Sequence, residues 1–500
     1  MTDPSEFENR EKDWRNGALV YQVLVDRFAP SADLQAKSHL YAPPKQIRPW
    51  DEVPEQGVYL EEVGVWSHEI DFWGGDLESL RSKLDYISSL GIDVLYLNPI
   101  HAGFTNHKYD SLDFETVSAE FGTRDDVARL ADDLHDAGMK LVLDGVFNHM
   151  GRNSDKFQQA LNNPDSPYRD WFNFGDQYPD GVRVWAQAKN LPELNLENKA
   201  VQEHIYAGND SVIQQYLKLG ADGWRLDVAF DMGYDILNDL TARAHEAKPG
   251  SLVVGEIWNY PAGWFPSLDG VMNFTAREII WRLVLGKLDP KIAGEMLNRM
   301  VTDAGIEPML KSWMILDNHD TPRLKNMMPE PWQQKMAQVL QYTLPGSPNL
   351  YYGVELGMTG GGDPEMRAPM RWDLVNNNNE TLVWTKQLID LRKTHRALSV
   401  GNFRLVTSHE LLAFERYTDR VEDTVIVIIN PADHAVSESV MTANSSLMNW
   451  TTMTDLMGTH DETIYVNSGM LHLSVDARSF MLLKPDIQAK GGYTPYKRVP

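Results

Sequence analysis

The stretch GWRLDVAF, residues 223–230, reads as a buried β-strand that nevertheless carries two opposite charges. Arg225 and Asp227 are two positions apart, so on a strand their side chains share one face. A buried ion pair is one interpretation, but the cost of desolvating both charges often cancels their attraction. The place of this strand in the fold therefore decides whether the two charges have a structural or a functional role.

Short apolar runs of the same kind recur through residues 1–360, with helical patterns between several of them. Examples are VLYLNPI (94–100), KLVLDGVF (140–147), SLVVGEIW (251–258) and SWMILDN (312–318). Most are continuously apolar rather than alternating, which is typical of strands that are covered on both sheet faces. About eight such strands alternating with helices predict an α/β fold, a parallel (β/α)₈ TIM barrel.

Two of the helical patterns have clear ends. One helix is predicted to begin after Asp76 as its N-cap and to stop at Gly91. Another begins at Thr123, has Asp126 in the capping-box position, and ends at Gly138.

Two changes of pattern mark additions to the barrel. A long segment rich in Asp, Asn, Pro and Trp follows the third strand with little periodicity, which indicates an inserted subdomain. Near the C-terminus, strands follow one another without helices between them. We therefore predict a barrel at 1–149 and 206–398, an inserted subdomain at 150–205, a C-terminal antiparallel β-sandwich at 399–486 and a tail at 487–500.

Composition limits the kinds of partner. The net charge of −25 disfavours nucleic acid and anionic membranes, and a neutral polar substrate fits such a surface better. With no cysteine, disulfides and thiolate metal sites are excluded. The N-terminus has no secretory signal pattern, and no apolar run approaches the roughly 20 residues that span a bilayer. We expect a cytoplasmic protein.

Polar side chains cluster where four of the predicted strands end. Active sites of such barrels lie at the carboxyl ends of the strands. A single Asp or Asn there is often only a helix cap, but four clusters at one end favour a pocket that Arg225 and Asp227 line. The clusters are Asp144, Asn148 and His149; Arg225 and Asp227; Glu256; and Asp317, Asn318, His319 and Asp320.

Three carboxylates, Asp227, Glu256 and Asp320, converge in this arrangement. Such a set suits cleavage of a glycosidic bond, in which one carboxylate attacks the anomeric carbon and a second acid protonates the leaving oxygen. We expect Arg225 to keep Asp227 ionised by lowering its pKa. A Glu near like charges and apolar walls is instead pushed towards protonation, as a general acid requires.

Four segments resemble, in order, the signature regions of the α-amylase family, glycoside hydrolase family 13: DGVFNH (144–149), GWRLDVAF (223–230), VVGEIW (253–258) and LDNHD (316–320). The segments NHKYDSLDF (106–114), LPELN (191–195) and DPEMRAPMRWD (363–373) also fit. The resemblance covers nearly the whole chain. It implies Asp227 as nucleophile, Glu256 as acid/base and Asp320 as the third carboxylate.

The resemblance also implies a set of sugar contacts. It places Asp363 and Arg367 at the glucose next to the cleavage point on the non-reducing side, where a polar clamp predicts short substrates. Aromatic residues of the inserted segment are expected to wall the same cleft, namely Trp171, Phe172, Tyr178 and Trp185. The remaining implied contacts are Tyr109 as a stacking platform, His149, Arg225, Trp258 and His319.

Within the family, NHKYDS, Trp258, DGVMNF (269–274) and DNHDTPR (317–323) look most like the branch of neopullulanases, cyclomaltodextrinases and maltogenic amylases. That branch usually carries an extra N-terminal β-domain that helps to build dimers, whereas few residues precede the first predicted strand here. The LPELN segment is closer to α-amylases. Oligomeric state and substrate length therefore stay open.

A structural calcium ion is a further implication of the resemblance. Asn148 and Glu193 match family ligand positions by residue type, and hard oxygen ligands suit Ca²⁺. Asn148 also fits a simple strand-end cap. The loop after the first strand, DRFAPSADLQ (26–35), lacks most ligands of a second calcium site. No organic cofactor is expected.

These features predict a retaining glycoside hydrolase that cleaves α-1,4-glucosidic bonds in maltodextrins, cyclodextrins or starch-derived oligosaccharides, with transglycosylation left open. The alternatives are a non-hydrolytic carbohydrate-binding homologue and a family transglucosylase or sucrose- or trehalose-acting enzyme. A metallohydrolase would use His101, His107, His149 and His319, but the chain has no His-x-His and no HExxH.

Overall fold

The computed structural model describes residues 4–458, 460, 463–489 and 493–499. Each strand of a central barrel pairs in parallel with the next, and the first also pairs with the last, so the barrel closes. The predicted (β/α)₈ barrel is confirmed. Its strands are β1 (Val20–Val23), β2 (Val94–Leu97), β3 (Lys140–Gly145), β4 (Gly223–Leu226), β5 (Leu252–Ile257), β6 (Gly270–Asn273), β7 (Trp313–Met314) and β8 (Ser347–Tyr351).

The barrel strands are apolar on both faces because each face meets its own core. Alternate residues such as Val20, Tyr96 and Val142 form one buried cluster with Val254 and Trp313. Their sequence neighbours, for example Tyr21, Leu95 and Leu141, belong to the larger cluster that includes the surrounding helices. Two covered faces explain why the strands read as continuous apolar runs.

Helices connect successive strands around the outside. The helix predicted from Thr123 is present as Arg124–Asp136, and Thr123 and Asp126 form the expected capping box. The single helix predicted between Asp76 and Gly91 is instead two helices, because the Ser82 hydroxyl donates to the Ser79 carbonyl (2.6 Å) and ends the first of them.

The α-helices are Pro4–Lys12, Val25–Phe28, Leu77–Arg81, Leu84–Leu90, Arg124–Asp136, Asp155–Asn162, Lys199–Gln202, Val212–Leu219, Ala229–Met232, Tyr234–Ala247, Phe274–Val284, Pro290–Ala304, Ile306–Lys311, Leu324–Met327, Pro331–Thr343, Glu380–Thr394 and Arg396–Val400. Short paired strands in the connections after β1 and β2 are Gln46–Ile47 with Asp71–Phe72, Tyr59–Leu60 with Val65–Trp66, and His101–Gly103 with Ser111–Val117. No helix in the described ranges is long and apolar enough to cross a membrane.

The inserted segment after β3 is an irregular subdomain rather than a simple loop. It contains the helix Asp155–Asn162 and isolated bridges that pair Phe172 with Leu194 and Phe174 with Val182. A further bridge pairs His149, the last residue of the DGVFNH segment (144–149), with Glu193. These bridges hold the segment over the carboxyl ends of the barrel strands.

The C-terminal domain is an antiparallel sheet domain, as predicted. One of its faces packs on the barrel helices and the other encloses a separate apolar core. The buried Arg416 fastens it to the barrel by donating to the carbonyls of Thr343 (2.6 Å) and Leu398 (3.1 Å). Its strands are β9 (Asn402–Val406), β10 (Leu412–Tyr417), β11 (Val425–Asn430), β12 (Val436–Met441), β13 (Thr452–Asp455), β14 (Ile464–Asn467), β15 (Met470–Val475) and β16 (Ser479–Asp486), in the order β9-β10-β11-β16-β13-β14-β15-β12.

Candidate active site

A cleft of about 810 Å³ opens at the carboxyl ends of the barrel strands. The three carboxylates predicted from the sequence, Asp227, Glu256 and Asp320, all line it. Arg225 and His319 are fully buried beneath the cleft and contact these carboxylates. Five further predicted sugar contacts also line the cleft: Tyr109, His149, Trp258, Asp363 and Arg367.

Arg225, on β4, is shared among three carboxylates. Its Nη1 lies 2.9 Å from Asp144 Oδ1 and 2.9 Å from Asp227 Oδ1, and its Nη2 lies 3.0 Å from Glu256 Oε2. The strand register explains this geometry, because Arg225 pairs with Asp144 on β3 and its own neighbour on the same face is Asp227. One guanidinium therefore holds the two proposed catalytic groups close together.

The pKa of Asp227 differs from the expectation drawn from the sequence. Burial raises the pKa of Asp227 well above its ordinary value, and the carboxylates of Glu256 and Asp144 raise it further, although Arg225 opposes them. The expected lowering by Arg225 is present but is outweighed, because one positive charge serves several buried carboxylates. Asp227 consequently binds a proton more readily than an isolated carboxylate does.

Glu256, on β5, is held at both oxygens. Its Oε2 accepts from the Val228 amide (2.9 Å), and its Oε1 accepts from the Trp258 indole N–H (2.8 Å). Trp258 is itself fixed by stacking on Phe274, with ring centroids 3.7 Å apart. Val228 has left-handed backbone angles (φ 48°, ψ 37°), a conformation that is strained for a β-branched residue.

His319 stacks on Tyr109 and is fixed by amides below it. The two rings are nearly parallel (2°), with centroids 5.2 Å apart. The Gln22 side-chain amide lies 2.9 Å from His319 Nδ1, which makes that nitrogen the acceptor and leaves the proton on Nε2. Nε2 then faces the Tyr109 hydroxyl (2.6 Å) and Asp320 Oδ2 (3.0 Å).

The surroundings of His149 and His319 favour the neutral form of both rings. Burial and the positive charges of Arg225 and Arg367 hold the pKa of His319 well below its ordinary value. Burial lowers the pKa of His149 to about 4. The His149 Nε2–H donates to the Tyr109 carbonyl (3.1 Å), and its ring stacks on Trp185 of the inserted segment (5.7 Å between centroids).

Asp363 and Arg367 lie beside the third carboxylate. Arg367 donates from Nη2 to Asp320 Oδ1 (3.1 Å) and from Nε to the His319 carbonyl (2.9 Å). Its Nη1 is 3.4 Å from Asp363 Oδ1. The Arg367 side chain is only 11% exposed, so it is a fixed part of the cleft wall rather than a solvated surface charge.

Of the four aromatic residues expected to wall the cleft from the inserted segment, Trp185 does so. Trp171 and Phe172 are buried inside the segment, and Tyr178 is not part of the cleft lining. Their apolar character stabilises the subdomain itself, which sequence pattern alone does not distinguish from a sugar-binding role.

Sequence reasoning missed one wall of the cleft. Tyr59, Trp66 and Glu69 line it, and they belong to the connection after β1. His107 is also part of the lining and lies 3.1 Å from Glu69. The available signal was weak: VYLEEVGVW (58–66) has two short strand-like runs around a glycine, a pattern typical of a hairpin.

The predicted calcium ligands do not form a fitting donor set. Leu194 N–H donates to the Asn148 carbonyl (3.0 Å), so the two segments are neighbours. The Glu193 carboxylate, however, is paired with the Arg183 guanidinium, which already neutralises it. Calcium takes about six to eight oxygen ligands. Within the described ranges, no group of three or more His, Cys, Asp or Glu is placed to hold a metal ion.

The histidines of the metallohydrolase alternative do not come together. His101 is fully buried among the rings of Phe114, Tyr216 and Trp224, away from the cleft. His107, His149 and His319 each bond to a different group of Tyr109, namely its amide, its carbonyl and its hydroxyl. In the part of the chain that the structure describes, they do not form a group that could hold a metal ion. The cleft is built around carboxylates instead.

Comparison with known proteins agrees with this geometry. The family described as alpha amylase, catalytic domain, matches residues 22–382. A cyclomaltodextrinase from Bacillus sp. is 30% identical over 432 residues, covering 83% of this chain and 73% of that protein. An intracellular maltogenic amylase from Bacillus subtilis is 30% identical over 430 residues, covering 81% of this chain and 67% of that protein.

Among solved structures, the ligand-free cyclic α-maltosyl-(1→6)-maltose hydrolase from Arthrobacter globiformis is similar over 95% of this chain and 99% of that chain. Its TM-score is 0.78 and its sequence identity 26%. The family match covers the second half of β1, all the other barrel strands and all four motifs that supply the cleft. The chain belongs to the α-amylase family of glycoside hydrolases.

Proposed function

We propose that this protein is a retaining glycoside hydrolase that cleaves α-1,4-glucosidic bonds in short maltodextrins and cyclodextrins. The observation that carries the proposal is the pair Asp227 and Glu256, both bound to Arg225 and both facing an open cleft. Retaining enzymes need two carboxyl groups about 5–5.5 Å apart, and a shared guanidinium keeps this pair close. Asp320 supports the assignment because it lines the same cleft.

The chemistry then follows in two displacements. The Asp227 carboxylate attacks the anomeric carbon and forms a glycosyl ester, while the Glu256 carboxylic acid gives its proton to the departing glycosidic oxygen. Glu256, now ionised, takes a proton from water, whose oxygen attacks the same carbon and releases Asp227. The indole of Trp258 and the amide of Val228 keep Glu256 in position in both steps.

The remaining residues bind the sugar at the cleavage point. Tyr109 presents a ring held flat by His319, which suits stacking on a glucose face. The neutral imidazoles of His149 and His319 act as hydrogen-bond partners for hydroxyl groups rather than as charges. Asp320 is poised to accept from the hydroxyls of the same glucose, because Arg367 and His319 fix its carboxylate.

A preference for short α-glucans is supported by the cleft walls. The pair Asp363 and Arg367 offers an acceptor and a fork of donors for hydroxyl groups, and Trp185 offers an apolar surface in the same cleft. The relatives named cyclomaltodextrinase, maltogenic amylase and cyclic α-maltosyl-(1→6)-maltose hydrolase support the same substrate class. A cytoplasmic location, supported by the relative named intracellular, is part of the proposal.

Product analysis tests this function directly. Purified protein is incubated side by side with maltooligosaccharides, cyclodextrins, pullulan and soluble starch, and products are separated by chromatography. We expect the fastest turnover on short maltooligosaccharides and cyclodextrins, with maltose as a main product and the α-anomer formed first by proton NMR. Faster turnover of soluble starch would contradict the substrate class, products of transfer alone would indicate a transglucosylase, and a first-formed β-anomer would contradict retention.

A further inference from the structure

The connection after β1 carries a small hairpin that borders the cleft. We call it the 59–66 hairpin: Tyr59–Leu60 pairs antiparallel with Val65–Trp66. Gly64 allows the tight turn because its φ is +72°, and its N–H donates to the Leu60 carbonyl (2.8 Å). None of the family motifs identified in the sequence includes this hairpin.

The hairpin is anchored to the loop that carries Tyr109. Glu69 accepts from the Trp66 amide (2.6 Å) with one oxygen and lies 3.1 Å from His107 Nε2 with the other. His107 Nδ1 in turn accepts from the Tyr109 amide (3.1 Å). Asn106 adds a bond from its side chain to the His68 carbonyl (2.8 Å). These contacts make the hairpin a fixed part of the site rather than a loosely held loop.

Trp66 stands at the cleft with two rings supporting it. His68 stacks against it (6.0 Å between centroids, 26°), and Tyr59 meets it edge-on (5.6 Å, 73°). His68 Nε2 is also 3.9 Å from Asp363 Oδ2, so the Trp66 ring lies one ring beyond the Asp363–Arg367 pair. Trp66 keeps 42% of its surface exposed and lines the same cleft as Asp227.

An indole in this place suits a sugar. Glucose has an apolar face of C–H groups and an edge of hydroxyls, so a binding site combines an aromatic surface with a few polar groups. Trp66 supplies the surface, and Asp363 and Arg367 supply the polar groups next to it. The acidic Glu61, also in the lining, offers a further acceptor for hydroxyls.

We propose that Trp66, supported by Tyr59, is a stacking platform for glucose units on the non-reducing side of the cleft, beyond the unit held at the cleavage point. The hairpin thereby completes an extended binding site from within a single chain. This inference rests on the proposed hydrolysis of α-glucans. It identifies the part of the site whose contacts depend on the length of the substrate.

The test compares substrates that do and do not reach the hairpin. We measure kcat/KM for 4-nitrophenyl α-glucoside, which fills only the cleavage point, and for maltotriose to maltohexaose. In Trp66→Ala we expect kcat/KM on maltohexaose to fall about tenfold, as for the loss of one aromatic contact, and kcat/KM on the glucoside to stay unchanged. Trp66→Phe, which retains a ring, recovers most of the loss. Trp450→Ala removes a more exposed tryptophan, in the C-terminal domain, and leaves every value unchanged.

The outcomes separate this inference from the proposed function. An active wild-type protein whose Trp66→Ala variant loses nothing on maltohexaose overturns the platform and leaves hydrolysis standing. An equal loss on all substrates also overturns it, because it assigns Trp66 only to holding the Tyr109 loop. A wild-type protein that cleaves none of the α-glucans contradicts both the proposed hydrolysis and the Trp66 platform. If Trp66→Ala does not fold, Tyr59→Ala decides the matter, with a smaller loss that must show the same dependence on length.

Discussion

The floor and the rim of the cleft are built in different ways. The floor consists of Asp227, Glu256 and Arg225, which project from the ends of β4 and β5 and are fixed by strand register. The rim consists of the 59–66 hairpin and the inserted segment around Trp185, which are fixed by side-chain contacts between loops. We therefore expect catalysis to depend on the barrel residues and substrate choice to depend on the connections between strands.

The strongest test of the floor is removal of the nucleophile. We expect Asp227→Asn to lower kcat on maltotriose by at least about 10³-fold, since an amide cannot form the glycosyl ester. Thermal unfolding should show that the fold is retained. A variant that keeps a tenth of the wild-type kcat would contradict the assignment of Asp227 as the nucleophile.

The second test separates the acid from the nucleophile. For Glu256→Gln we expect kcat to fall about 10²–10⁴-fold on maltooligosaccharides and much less on a 4-nitrophenyl glycoside, because a good leaving group needs little protonation. The two substrates are assayed in parallel. Equal losses on both would mean that Glu256 does not protonate the leaving oxygen.

The connection after β8, which carries Asp363 and Arg367, should respond through binding rather than through chemistry. We expect Arg367→Ala to raise KM for maltotriose about tenfold and to broaden the product pattern, because it removes charge-assisted bonds to sugar hydroxyls. The paired measurement is Asp363→Ala, which leaves Asp320 in its contact with Arg367. If Arg367→Ala keeps the wild-type KM and products, the short-substrate argument loses its support.

A smaller effect concerns stability and pH. Because the pKa of Asp227 is raised in the folded protein, the ionised carboxylate costs stability as the pH rises through that raised pKa. Below the unfolded-state pKa the group is protonated in both states and the cost disappears. Asp227→Asn should therefore raise Tm by a few degrees at pH 7 and by less at pH 4, which differential scanning calorimetry measures. A lower Tm at pH 7 would contradict the raised pKa.

The smallest effect is expected from metal removal at the rim. Arg183 already pairs with Glu193, so we expect dialysis against EDTA, and then addition of Ca²⁺, to leave Tm and activity unchanged. Arg183→Ala is the matched variant, since it frees the Glu193 carboxylate. A rise in Tm of the wild-type protein with Ca²⁺ would restore the calcium site that the sequence predicts.

The same division explains what the sequence predicts and what it does not. The shared location of Asp227, Glu256 and Asp320 in one cleft could be predicted from sequence, because each lies at or after the carboxyl end of an apolar strand with a fixed place in a barrel. The platform role of Trp66 could not, since it depends on contacts with Glu69 and Asp363 that no local spacing encodes. The shifted pKa of Asp227 was also out of reach, because it depends on burial and on how many carboxylates share Arg225.

The left-handed Val228 links the two catalytic carboxylates through the main chain. It follows Asp227 directly, and its N–H binds Glu256. A conformation of this kind costs about 1–3 kcal/mol and persists only when the surroundings enforce it. The main chain next to the nucleophile therefore helps to set its spacing from the acid, together with the Arg225 guanidinium. Mutations that reshape the rim can accumulate without disturbing that spacing. Related enzymes can therefore diverge in substrate specificity while they keep the same stereochemical outcome.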